Sequence, residues 1–240
     1  MSVDLTDPTR AVTPTLDGPV LAVLAAAGRP LTVGEVAAQA VRGSEIGVRR
    51  SLGRLVEQGI VRATEVGRIR VHELNRDHVA APVAVLLSGL RGELWKRLRE
   101  TLGGWQPPPL HACVFGSAAR GDGDIDSDVD ILLVHPLFPD EGWKAGSTGV
   151  VGALAGAIAG ATLPVATEAD VAIWDRQVDD LRSCVRSWTG NSLQVVDLSV
   201  VEWAVQRARA SRLMADIDRD AVVLVQPTAL PRAPKPAKER

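Results

Sequence analysis

Apolar residues recur every three to four positions through the first third of the chain, and later gather into short unbroken runs. "PVLAVLAAAG", "TVGEVAAQA" and "SEIGVRRSLGRLVEQG" read as three helices, separated by Gly28-Arg29-Pro30 and Arg42-Gly43-Ser44. Thr32 and Ser44 are the expected N-caps, and Glu35, three residues after Thr32, completes a capping box. In the third helix Val48, Leu52, Leu55 and Val56 share one face, which turns Arg49, Arg50 and Arg54 outward. "GIVRATEVGRIRVHEL" then alternates as two short strands around Gly67.

Beyond Asn75 the stretch "RDHVAAPVAVLLSGLRGELWKRLRETLGGW" has the spacing of a long amphipathic helix that Pro82 starts or bends. Pro107-Pro108-Pro109 is a stiff boundary before the strand-like "LHACVF" and "ILLV". Further on, "TLPVATEADVAIWD" reads as a strand and "QVDDLRSCVRSWTG" as a helix. A short strand near Leu193–Val196, a last helix in "EWAVQRARASRLMADI" and a last strand in "AVVLV" follow. Asp197 is assigned to helix capping. The pattern divides the chain into a disordered polar arm (1–17), a three-helix and hairpin domain (18–76), a helical connector (77–106), an α/β (α+β) domain (107–227) with a mixed sheet flanked by helices, and a disordered Pro- and Lys-rich tail (228–240).

"GVVGALAGAIAGATLPVA", Gly149–Ala166, imitates a membrane span. It is short, built of Ala and Gly, and broken by Pro164, so a small-residue helix packed on a sheet is the better expectation. The N-terminus lacks the basic-then-apolar pattern of a signal peptide, and Cys113 and Cys184 are isolated in apolar surroundings. A cytoplasmic protein with buried thiols, no membrane partner and no zinc site is expected.

The formal net charge of −2 hides an asymmetry. Gly18–His78 holds nine basic and six acidic residues, a local +3, whereas Leu110–Val200 holds five basic and thirteen acidic ones, a local −8. The first part can face a polyanion and the second can hold cations. In layout, Gly18–Asn75 resembles a winged helix-turn-helix domain, with "LVEQGIVRATEVGRIRVHEL" as the end of a recognition helix, the wing and its return strand. The resemblance implies DNA binding through Arg49, Arg50 and Arg54 on the helix and Arg68 and Arg70 in the wing, where exposed guanidinium groups reach phosphates and base edges. Docking of a protein is the alternative use of such a domain.

The strongest chemical signal is "VFGSAARGDGDIDSDVDILLV", with Asp122, Asp124, Asp126, Asp128 and Asp130 at alternate positions. Carboxylates this close repel one another unless water or a cation separates them. A calcium loop is excluded: counted from Asp122, the positions that need Gly and Glu hold Ser127 and Leu133; counted from Asp124 they hold Val129 and His135. Gly116-Ser117, after a strand and before a helix starting near Ala118, lets backbone N–H groups approach an anion. Alternation puts Asp128 and Asp130 on one side of the following strand, with oxygens suited to Mg²⁺ and to substrate phosphates shared with it.

The string "GSAARGDGDIDSDVDILL" closely resembles the signature of the DNA polymerase β-like nucleotidyltransferase superfamily, in its small bacterial branch. The resemblance spans about Leu110–Pro227, with strong motifs only in its first fifth. It implies that Gly116 and Ser117 contact a nucleoside triphosphate, that Arg120 orients the loop or the phosphates, and that Asp128 and Asp130 bind two Mg²⁺ ions. It also calls for a third carboxylate on a later strand, for which Asp170 is the expected residue and Glu168 the reserve. The implied reaction moves a nucleoside monophosphate, AMP from ATP by expectation, to a hydroxyl on a protein such as a paired toxin or on another acceptor, with the metals clamping the attacking and leaving oxygens. An antitoxin or defence regulator is the expected setting. The competing expectation is a transcriptional regulator whose C-terminal domain senses nucleotide without chemistry.

Overall fold

Apolar residues collect into separate cores in two units, Ser2–Trp95 and Lys96 onward. The computed structural model describes residues 2–139 and 166–226. The small-residue stretch (apart from Ala166) and the Pro- and Lys-rich tail fall outside the described residues. No helix among those described is long and apolar enough to cross a membrane.

In the first unit the order is α1 (Asp17–Ala26), β1 (Leu31–Thr32), α2 (Val33–Gln39), α3 (Glu45–Glu57), β2 (Val61–Val66), β3 (Ile69–Leu74) and the start of α4 (Ala81–Gly103). Both expected caps form. Thr32 accepts from the Glu35 N–H while Glu35 returns to the Thr32 N–H, and the Ser44 hydroxyl accepts from the Gly47 N–H. The three strands make an antiparallel sheet in the order β1-β3-β2, with Gly67, at φ +64°, turning the β2–β3 hairpin. Val20 and Leu24 of α1, Val36 of α2, Val48 and Leu52 of α3, and Ala84 and Leu87 of α4 form the core under this sheet. Fully burying an aliphatic side chain such as Leu52 stabilises by about 1.5–3 kcal/mol.

The arm before α1 does pack, contrary to its composition. Leu5, Asp7 and Thr9 are buried, and Pro8–Ala11 forms a single 3-10 turn. The cause is Arg42, whose guanidinium pairs with Asp7 and donates to the carbonyls of Thr13 (3.2 Å) and Thr15 (2.9 Å). A chain reading shows the polar residues but not the distant cation that gathers them.

The second unit is built on a four-stranded mixed sheet, ordered β6-β5-β4-β7, from β4 (His111–Phe115), β5 (Val129–His135), β6 (Leu193–Ser199) and β7 (Val222–Val225). β5 runs antiparallel to β4 and parallel to β6. α5 (Gly116–Arg120) follows β4, α6 (Glu168–Thr189) precedes β6, and α7 (Val200–Ala208) and α8 (Arg212–Asp220) come between β6 and β7. Leu132 and Val134 pack with Cys113, Val200, Met214 and Ile217 on one face. By alternation Ile131, Leu133 and His135 point to the other, where Trp174 of α6 meets Trp105 edge to face at 5.0 Å and also contacts His135 and Phe138. The mixed sheet flanked by helices agrees with the α/β expectation.

Two element assignments change. The expected single last helix is two, broken at Ala210 (φ +47°) and restarted by the Ser211 cap. "TEADVAIWD" is the first turns of α6 rather than a strand, because Thr167 and Asp170 form a second capping box and Trp174, Val178, Leu181 and Val185 follow at helical spacing on the buried face.

Candidate active site

β4 ends at Phe115, and Gly116 reverses the chain at φ +71°. The reversal brings it against β5. A Cβ on Gly116 would lie 2.4 Å from Asp130 Oδ2 and 3.3 Å from Asp130 Cγ, so the backbone meets the carboxylate with no room for a side chain. Glycine is favoured here by its conformation, and a Cβ would also displace the Asp130 carboxylate. The helix it opens has only five residues, too short to add a long helix dipole to the turn. The Ser117 carbonyl accepts from the N–H groups of Gly121 (2.8 Å) and Asp122 (3.3 Å), and a Cβ on Gly123 would sit 3.0 Å from the hydroxyls of both Ser117 and Ser127. The loop therefore folds closely over Ser117.

Four of the five aspartates of the run have distinct settings. Asp122 accepts from Arg120 Nε at 2.8 Å, which holds its pKa below the usual range. Asp124 accepts from the Ser127 hydroxyl (2.8 Å) and the Asp126 N–H (3.1 Å), and these bonds lower its pKa too. They make a local turn that closes the loop. Asp128 accepts from Gln194 Nε2 at 3.1 Å. Asp130 is half-buried, and its pKa is raised by burial and then by the charge of Asp128, against a smaller opposite pull from Arg120. Two like charges held together at a strand mouth, one of them desolvated, are an environment that a cation relieves.

Arg120, expected at the loop or the phosphates, has its guanidinium between two carboxylates, Asp122 and Asp220 of α8 (3.6 Å). That geometry fixes the loop to α8. Asp170 does not join Asp128 and Asp130. It stands in the first turn of α6, its carboxylate accepts from the Thr167 N–H (2.7 Å) and hydroxyl (2.8 Å), and these bonds lower its pKa. Glu168 lies in the same helical turn. Among the described residues no three His, Cys, Asp or Glu side chains form a group able to hold a metal. Asp130 is flanked by Phe115 of β4 on one side and by Gln194 of β6, its Cα partner, on the other.

Sequence reasoning missed Gln194. The sequence predicts a strand near Leu193–Val196, but the parallel pairing of β5 with β6 that sets Gln194 at the level of Asp130 is seen only in the structure. Asp197, expected as a cap, faces the other way and accepts from Trp174 Nε1 at 2.8 Å; Ser199 caps α7 instead. The donor set suits Mg²⁺ shared with phosphate oxygens, because two carboxylates side by side leave most coordination positions to water and ligand.

In the first unit Arg49, Arg50, Arg54, Arg68 and Arg70 are all exposed. Two of them are paired within the unit, Arg49 with Glu45 (2.9 Å) and Arg54 with Asp17 (2.7 Å), the latter joining α3 to α1.

No curated protein matches the chain. The region carrying the Gly116–Ser117 turn and both site aspartates is similar to known proteins: residues 92–183 match the protein-family model described as a nucleotidyltransferase domain.

Proposed function

We propose that the protein is a Mg²⁺-dependent nucleotidyltransferase that moves AMP from ATP to a hydroxyl on a partner protein, with the first unit acting as a winged helix that binds DNA. The observation that carries the reading is the approach of the Gly116 turn to Asp130, with Asp128 beside it, inside the region matching a nucleotidyltransferase domain. Transfer of a nucleoside monophosphate is the chemistry that this domain supports in general.

In this reading the Gly116-Ser117 turn receives the triphosphate, and Asp128 and Asp130 hold divalent metal. Bound metal supplies charge neutralisation at the transferring phosphoryl and orientation of the attacking and leaving oxygens. The chain's own part is placement. Gly116 sets the distance from the turn to Asp130, Asp124 and Ser127 close the loop over Ser117, and Arg120 anchors that loop to α8 through Asp220. Incubating the protein with α-³²P-ATP, Mg²⁺ and a cell lysate is expected to label an acceptor, and Asp128→Asn to abolish the label while leaving the fold intact. Unchanged labelling by Asp128→Asn refutes the assignment.

One observation favours a second reading, a nucleotide sensor without chemistry: among the described residues Asp128 and Asp130 have a glutamine beside them where a third acid was expected. ATP binding with no labelled species would select it.

The helix–strand–helix–helix–strand–strand order of the first unit and its exposed arginines support the winged-helix reading. Arg50, Arg68 and Arg70 are the better candidates for phosphate contact, since Arg49 and Arg54 already have acidic partners. Affinity for duplex DNA is expected to fall steeply with salt, and Arg68→Ala to flatten that slope by about one charge. A slope near zero in the parent protein would point to protein docking instead. A cytoplasmic regulator, such as an antitoxin acting on a paired toxin, combines the two activities.

A further inference from the structure

Among the described residues β6 is an edge strand of the second sheet, and the two residues just before it grip the loop that carries Asp128. Asn191 Nδ2 donates to the carbonyls of Ser127 (3.0 Å) and Ile125 (3.4 Å), and the Ser192 carbonyl accepts from the Val129 N–H (2.9 Å). Gln194, the Cα partner of Asp130, then reaches across to Asp128, Nε2 to Oδ2, at 3.1 Å. An ionised carboxylate can only accept, so the amide nitrogen is the atom that faces it, and the amide carbonyl oxygen is left for other partners.

Taking the metal-dependent reading above as its basis, we propose that Gln194 is the positioning residue of the metal centre: it orients Asp128 through its amide N–H and, being neutral, keeps the centre at two negative charges. Two consequences follow from that charge count. A divalent cation gains too little from two carboxylates alone to stay bound on its own, and it loads together with the triphosphate, whose oxygens supply the missing negative charge. Orientation of Asp128 matters most in that loaded state, because both carboxylates must then meet the same ion. A hydrogen-bonded ligand oriented from behind loses about 10- to 100-fold in metal affinity when the orienting group is removed.

The test is Mn²⁺ binding, read from the electron paramagnetic resonance signal of free Mn²⁺, with and without the non-transferable analogue α,β-methylene-ATP. The parent protein is expected to bind Mn²⁺ weakly alone and tightly with the analogue. Gln194→Ala should weaken Mn²⁺ binding with the analogue about tenfold. Gln194→Glu, which keeps the shape and adds a charge, should tighten binding of Mn²⁺ alone about tenfold. Gln194→Asn, with a shorter reach, should not restore the parent affinity. Gln194 is exposed on an edge strand, and the near-isosteric Glu variant serves if the Ala variant fails to fold. Gln194→Ala and Gln194→Glu both matching the parent, while Asp128→Asn loses Mn²⁺, overturns this inference alone. Parent and Asp128→Asn binding Mn²⁺ equally, or neither binding it, overturns the metal-centre reading itself.

Discussion

Replacing Gly116 by alanine perturbs two things at once, and the structure separates them. The backbone at φ +71° places a residue with a Cβ in the left-handed region, which costs about 1–2 kcal/mol. The new methyl would also lie 2.4 Å from Asp130 Oδ2, well inside contact distance, so the carboxylate must leave its position. Forcing a half-buried side chain off its rotamer costs about 0.5–1.5 kcal/mol more. Together these destabilise the second unit by about 2–3 kcal/mol, a fall in Tm of roughly 6–12 °C for a domain of this size. The double-mutant cycle isolates the contact. With Asp130→Ala already present the carboxylate is gone, only the backbone cost remains, and Gly116→Ala should be milder by about 1 kcal/mol than in the parent. Calorimetric unfolding of the four proteins, followed by Mn²⁺ binding for the two that keep Asp130, is the assay. Additivity within about 0.5 kcal/mol would show that Gly116 does not press on Asp130, and the close approach on which the site is built would be wrong.

Three further outcomes are expected. Burial lowers the pKa of His72 in the first unit and of His111 in the second, so both stay neutral in the fold while the unfolded chain takes up their protons near pH 6.5. Stability should therefore hold above about pH 6.5 and decline as the pH drops below it, with His72→Gln and His111→Gln each flattening the decline; a flat Tm from pH 7 to 5 contradicts this. Asp130 has the opposite sign. Its pKa is raised in the fold, so the stability present below the ordinary carboxylate range is lost as the pH rises through the raised value, and at neutral pH without ligand Asp130→Asn should raise Tm while removing transfer. Thr167→Ala should cost about 1 kcal/mol by opening the α6 capping box, and Asp170→Ala should destabilise in the same way yet leave transfer per folded molecule intact; loss of transfer would restore Asp170 to the site.

What could be read from the chain was what depends on neighbours in sequence. The caps at Thr32 and Ser44, the inward face of α3, the hairpin at Gly67 and the turn at Gly116 all follow from local patterns, and each is present. The failures are of two kinds. "TEADVAIWD" carries both an alternation that suits a strand and a capping signature that suits a helix, and the following Trp174, Val178 and Leu181 decide for the helix only when the window extends far enough to include them. The packing of the N-terminal arm and the place of Gln194 depend on partners remote in sequence, Arg42 for Asp7 and the β5–β6 register for Asp128. No local pattern carries that information.

The aspartate run shows how such remote partners convert one composition into separate roles. Asp122 and Arg120 neutralise each other, and Asp220 draws the pair toward α8. Asp124 spends its carboxylate on the Ser127 hydroxyl and the Asp126 N–H, so its charge is tied into the shape of the loop. Among the described residues Asp128 and Asp130, at the mouth of β5, make no ion pair; they meet the neutral amide of Gln194 and the backbone of Gly116, and Arg120 exerts a smaller electrostatic pull on Asp130. Burial first, and the charge of Asp128 second, raise the pKa of Asp130. The loop ties Asp122 and Asp124 into its own shape and leaves Asp128 and Asp130, beside the Gly116 turn, without an ion pair among the described residues. That selectivity is what the proposed binding site calls for, whereas on a solvated acidic surface every carboxylate would behave alike.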